Sequence, residues 1–97
     1  MRVIARRTLR EFWQRHDQAE DPLKAWYAEA VKASWSSPQD VKNAYRHAIL
    51  VADTRVVFNI GGNRYRLIVR VNYDYRIVYV KSVGTHAEYD KIDPETI

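Results

Sequence analysis

The sequence predicts an α+β domain, with helices covering one face of a small, mainly antiparallel sheet. Three observations predict it. Apolar residues recur at helical spacing through residues 9–34. They recur at alternate positions after residue 55. Gly61–Gly62 and Tyr73-Asp74-Tyr75 then break the second half into strand-length runs. Helices gathered in one half and strands in the other read as α+β rather than alternating α/β. A chain of 97 residues is the size of one small domain, spanning 1–97.

The elements follow in order. "MRVIA" is a short first strand. "TLREFWQRH" places Leu9, Phe12, Trp13 and His16 on one helical face. "EDPLKAWYAEAVKAS" is a second helix. Asp21 is its expected N-cap, and Pro22 its first helical residue, where a missing N–H costs nothing. Leu23, Trp26, Tyr27, Ala30 and Ser34 make its inward stripe. "SSPQDVKNAY" repeats the device with Ser37 as cap, Pro38 next, and Asp40 as a favourable charge near the helix start. "RVVFNI" is a β-branched and aromatic strand, and the glycine pair after it suits the positive φ angles of a tight hairpin. "NRYRLIVRVN" alternates cleanly. Tyr65, Leu67, Val69 and Val71 face one way; Arg64, Arg66, Ile68 and Arg70 face the other. "RIVYVKSV" is the last strand, and Gly84 ends it. Helices need the apolar face, so the arginine face is expected to be open.

Composition narrows the function classes. The chain has no cysteine, which removes disulfides, zinc ribbons and thiol catalysis. No N-terminal apolar block reads as an export signal, and no apolar run approaches the roughly 20 residues that span a bilayer. The expected location is the cytoplasm, with no membrane partner. The net charge is +4, and all of the excess lies in residues 61–81. There Arg64, Arg66, Arg70, Arg76 and Lys81 stand against Asp74 alone. A localised basic excess points to an anionic partner. Lysine would solvate an open sheet face as well, yet this one uses arginine, whose planar fork matches phosphate and stacks on unpaired bases.

"VGTHAEYD" at 83–90 gathers a hydroxyl, an imidazole, carboxylates and a phenol just beyond the last strand. A lone histidine is usually structural or solvent-exposed. Here His86 follows a strand that neighbours the arginine strand, and it travels with Tyr89. An imidazole titrates near neutrality, and a base beside a cationic platform suits cleavage of RNA through the 2′-hydroxyl. The "HAE" triplet echoes zinc deaminases, but their paired cysteines are missing, so no metal site and no cofactor is expected. Gly61 and Gly62 read as a turn and not a phosphate loop. Asn59 and Asn63 beside them serve either the turn or RNA. Trp13 and Trp26 read as core residues, and Trp35 is undecided.

"VVFNIGGNRYRLIV" at 56–69 and "VGTHAEYDKID" at 83–93, in this order in so short a chain, resemble the HigB family of bacterial toxins within the RelE superfamily. The resemblance implies a RelE-like microdomain that cuts messenger RNA in the ribosomal A site without metal. It implies as partners the ribosome and a HigA-like antitoxin with a helix-turn-helix domain, which neutralises the toxin. Carried over by position, His86 is the general base, Arg66 the clamp on the transition state, and Tyr89 a stacking or proton-donating residue. Asn59 and Asn63 match the hairpin motif as RNA contacts. Arg64, Arg70, Arg76 and Lys81 join as RNA-binding residues through charge and strand alternation. The alternative is a non-catalytic RNA-binding or complex-forming module using the same basic sheet.

Overall fold

A computed structural model describes residues 1–52 and 54–94. The elements are β1 (Arg2–Ile4), α1 (Arg6–Arg15), a 3-10 turn (Asp17–Ala19), α2 (Glu20–Lys32), α3 (Pro38–Ala44), β2 (Ile49–Val51), β3 (Arg55–Ile60), β4 (Tyr65–Asn72), β5 (Ile77–Thr85) and α4 (His86–Tyr89). The five strands form one sheet in the order β1-β5-β4-β3-β2. All neighbours are antiparallel except β1, which runs parallel to β5. The α+β expectation holds, with two additions. β2 is only three residues, too short to give a periodic signal. α4 lies in the polar stretch beyond the last strand, for which no helix was expected.

The helical layer is built as its stripes require. Leu9, Phe12 and Trp13 of α1 and Leu23, Trp26 and Ala30 of α2 are buried. They meet Val56, Phe58, Leu67, Val69, Val71 and Val78 of the sheet in one core. Trp35 belongs there too: it is 5% exposed and stacks on Phe58 with ring centres 6.2 Å apart. Burying one aromatic side chain of this kind contributes about 1.5–3 kcal/mol.

The start of α2 differs from the expectation. Its N-cap is Ala19, so Asp21 lies inside the first turn and Pro22 is the third helical residue. Proline is still tolerated, because N–H groups throughout the first turn have no partner within the helix. The 3-10 turn before α2 supplies the entry that a side-chain cap would otherwise give. Helix α2 ends at Lys32, so Ser34 is not part of its stripe. Ser34 accepts a hydrogen bond from Arg76 Nε at 3.3 Å instead. The α3 expectation is met: Ser37 caps through its hydroxyl, which accepts from the Asp40 N–H at 3.3 Å, and Pro38 follows.

The sheet positions the site. β3 and β4 pair from Arg55↔Arg70 to Ile60↔Tyr65, joined by a turn with Gly61 at φ +62° and Gly62 at φ +69°. β5 continues the ladder, with a bulge that leaves Lys81 between Ser82, paired with Ile68, and Val80, paired with Val69. Gly84 does not end β5. It pairs with Arg66, and the strand runs on to Thr85. Its φ is not in the left-handed region, so nothing in its backbone stops a strand.

Candidate active site

The face away from α1 and α2 reads as rows across β3, β4 and β5. The first is Asn59–Arg66–Gly84, the second Val57–Ile68–Ser82, the third Arg55–Arg70–Tyr79. The expected open arginine face is thus only partly open. Val57 and Ile68 in the middle row are buried, and so is Arg66. Arg70 is exposed, its guanidinium 5.7 Å from the Tyr79 ring centre. Rows one and three lie about 13 Å apart at the usual rise per strand residue.

Arg66 is the centre of the arrangement. At 8% exposure it is the one buried charged or polar residue among the described residues. Its Nη2 donates to Asn63 Oδ1 at 3.0 Å. Longer bonds of 3.4 Å reach the carbonyls of Asn63 and Tyr65. The Tyr89 ring centre lies 5.9 Å from the guanidinium carbon. Among the described residues no ion pair to Arg66 is found. A guanidinium taken partly out of water without a carboxylate beside it remains a strong attractor for an anion.

The segment that brings His86 and Tyr89 here is α4. Four residues cannot hold a helix alone. The turn is held by a reciprocal cap: Thr85 Oγ1 accepts from the Glu88 N–H at 3.2 Å, and Glu88 Oε1 accepts from the Thr85 N–H at 2.9 Å. The His86 N–H also donates to the Arg64 carbonyl at 3.2 Å, tying α4 to the hairpin. The Thr-x-x-Glu spacing is the sequence signal that would have found this turn. The Thr85 N–H holds the Glu88 carboxyl below the usual range; the Thr85 hydroxyl and the charges of His16 and Arg15 add to this against a burial penalty. His86 projects into solvent, its Nδ1 3.8 Å from Asp90 Oδ2.

The remaining expected residues scatter. Arg64 lies in the turn rather than on β4, and donates to Gln18 on the helical side, so it is not in register with Arg66 and Arg70. Asn63 is the partner of Arg66, while Asn59 sits opposite Arg66 with a buried Oδ1 that has no hydrogen-bond partner among the described residues. Lys81 is exposed at the bulge. Arg76 is brought nowhere near His86. It sits at the other end of β5, about 25 Å away by strand rise, bonded to Ser34 and the Tyr73 carbonyl.

Sequence reasoning missed Arg55, although alternation in "RVVFNI" places it with Val57 and Asn59. It also missed the α1 end. His16 was expected on the core stripe; it stacks on Phe12 at 4.3 Å and stands 6.0 Å from the Tyr65 ring, half-buried. Only the chain fold shows that Arg15 and His16 border the α4 end of the sheet.

Two shallow cavities, of about 290 and 240 Å³, are lined by residues 54 and 70–74 and by residues 44–48, 58 and 59. Neither contains Arg66, His86 or Tyr89. The constellation is an exposed rim around a sunken cation, a shape that suits a polymer more than an enclosed small molecule. Among the described residues no three His, Asp or Glu groups converge as metal ligands would. No helix among them is long and apolar enough to cross a membrane.

Comparison with known proteins gives consistent results. Residues 19–92 match the HigB toxin family, described as the RelE-like toxic component of a toxin–antitoxin system. The mRNA interferase toxin HigB of Escherichia coli (strain K12) is 27% identical over 92 residues, which is 93% of this chain and 88% of that protein. The mRNA interferase HigB of Shigella flexneri gives the same figures. That of Escherichia coli O6:H1 is 24% identical over 94 residues, covering 95% and 91%.

Proposed function

Since the chain belongs to the HigB family of RelE-like toxins, we propose that the Arg66–His86–Tyr89 constellation is the cleavage site of an mRNA interferase. The observation that carries this reading is the buried Arg66, without a carboxylate partner among the described residues, facing the ring of Tyr89 on the short turn that also carries His86. A cation so placed attracts an anion, and a phosphodiester is an anion flanked by a proton that a base can take.

In the proposed mechanism the phosphodiester lies over Arg66. His86 takes the proton from the 2′-hydroxyl, and the 2′-oxygen attacks phosphorus. Arg66 stabilises the charge that builds on the phosphorane. The P–O5′ bond breaks, and a proton is delivered to the leaving 5′-oxygen, leaving a 2′,3′-cyclic phosphate. Tyr89 stacks a base over the arginine or supplies that proton. Asn63 holds the guanidinium fork in place. Arg70, Lys81 and Asn59 extend the contact with the strand, and Arg64 borders it from the hairpin.

The family context extends the proposal. The relatives are named mRNA interferases, and the substrate proposed here is mRNA in the ribosomal A site, cut without metal in the cytoplasm. The proposed partner is a HigA-like helix-turn-helix antitoxin. The test is primer extension on a reporter mRNA in a translating extract, with and without ribosomes. Wild-type protein is expected to cut only with ribosomes, and His86→Ala to fold but not cut. Cleavage by His86→Ala at the wild-type rate would remove the histidine mechanism. A wild-type protein that never cuts a transcript would leave a binding module.

A further inference from the structure

The chain has three glycines, and two are explained by their backbone. Gly61 and Gly62 have positive φ; Gly84 does not. Glycine inside a strand weakens it and often marks a close approach by another segment. That approach is visible at Gly84. A β-carbon built there would meet Glu88 Cβ at 3.2 Å, with Glu88 Oε1 and Cδ at 3.6 and 3.7 Å. Gly84 is buried and pairs directly with Arg66 in the first row. The empty position beside Arg66 is therefore where α4 rests.

We infer that Gly84 and Glu88 form a seat that sets the distance of α4 from Arg66, and so are positioning residues for His86 and Tyr89. The inference rests on the reading of α4 as the carrier of the reacting side chains. Its physical content is simple. α4 buries no residue of its own, so its place depends on the cap, on the His86 N–H to Arg64 carbonyl bond and on contact with β5. Adding a methyl at Gly84 lifts Glu88 by a few tenths of an ångström; adding a branched side chain lifts it further. A misplacement of about 1 Å in a reacting group can cost on the order of 10²-fold in rate. RNA affinity, which depends on Arg66 and the basic rim, is expected to change little.

The test is a double-mutant cycle on Gly84→Ala and Glu88→Gly, with Gly84→Val as the stronger probe. Single-turnover cleavage of mRNA on programmed ribosomes and filter binding of a 2′-deoxy RNA probe separate rate from affinity. Gly84→Val is expected to fold, since valine favours strands, and to lose about 10²-fold in rate with affinity kept. Gly84→Ala is expected to lose less. In the Glu88→Gly background, where the opposing β-carbon is gone together with the cap carboxylate, Gly84→Ala is expected to add no further loss, whereas in Glu88→Ala, which loses the same carboxylate but keeps the β-carbon, it is expected to add its full loss. An equal loss from Gly84→Ala in the Glu88→Gly and Glu88→Ala backgrounds would overturn the seat. So would wild-type cleavage by Gly84→Val. If Gly84→Val does not fold, the alanine cycle decides alone. His86→Ala runs beside these variants. Should it cut like wild type, the functional reading fails. Should it be inactive while Gly84→Val is active, the seat alone fails.

Discussion

Arg66→Met separates a structural arginine from a functional one. Methionine keeps an unbranched stem of similar length and removes the charge. In the folded protein Arg66 is 8% exposed. Its best bond, to Asn63 Oδ1 at 3.0 Å, is charge-assisted and worth roughly 1.5–3 kcal/mol. The two carbonyl contacts at 3.4 Å are long and add little. The Tyr89 ring at 5.9 Å is near the outer reach of a cation–π contact, worth about 0.5–1 kcal/mol. Against these stands the desolvation of a cation, several kcal/mol even after relaxation. The terms nearly cancel, so Arg66→Met should change stability by no more than about 1 kcal/mol, a Tm shift within roughly 4–8 °C. Cleavage should fall far more. Loss of a donor aimed at transition-state charge costs about 10²–10³-fold. Thermal melts and primer extension on the same preparation give both quantities. Inorganic phosphate should raise the Tm of the wild type more than that of the variant, because only the wild type offers the site. Destabilisation beyond about 3 kcal/mol with cleavage largely kept would mean that Arg66 is a packing residue, and the reasoning would be wrong.

The other predictions use different parts of the molecule. Arg66→Lys keeps the charge but loses the fork, and should lose about tenfold in cleavage; undiminished activity would reduce its role to charge attraction. Arg76→Ala should leave cleavage unchanged and lower stability by about 1 kcal/mol, because its bonds go to Ser34 and the Tyr73 carbonyl at the far end of β5. Trp26→Ala, deep in the core at 2% exposure, should cost about 3–5 kcal/mol in denaturant melts. The α4 cap should respond to acid. The Glu88 carboxyl is held low in the fold, so its contribution is complete above the ordinary glutamate range and is lost as pH falls through the lowered value. Hydrogen exchange at the Thr85 and Glu88 amides should speed up there before the core amides respond; simultaneous loss would contradict a local cap.

What could be read from the sequence follows the range of each interaction. Periods of 3.6 and 2 are local, and they give α1, α2, β3, β4 and most of β5. Capping is local as well, and Ser37-Pro38 marks the start of α3 correctly. The same logic applied to Asp21 fails, because the 3-10 turn at Asp17–Ala19 already delivers the chain into α2. β2 exists only because β3 offers it an edge, which no three-residue window reveals. Alternation gives the face of Arg66 but not its burial. Burial depends on Asn63 and Tyr89, three residues before it and 23 after. Gly84 shows the limit most clearly. In sequence it looks like the stop of a strand. In the fold it is a gap left for Glu88, four residues on and beyond a change from strand to helix. The chemistry-bearing types at 85–90 were legible, since T-H-x-E-Y-D names them. Their geometry was not, because it is set by what the chain omits at position 84 as much as by what it places at 86 and 89.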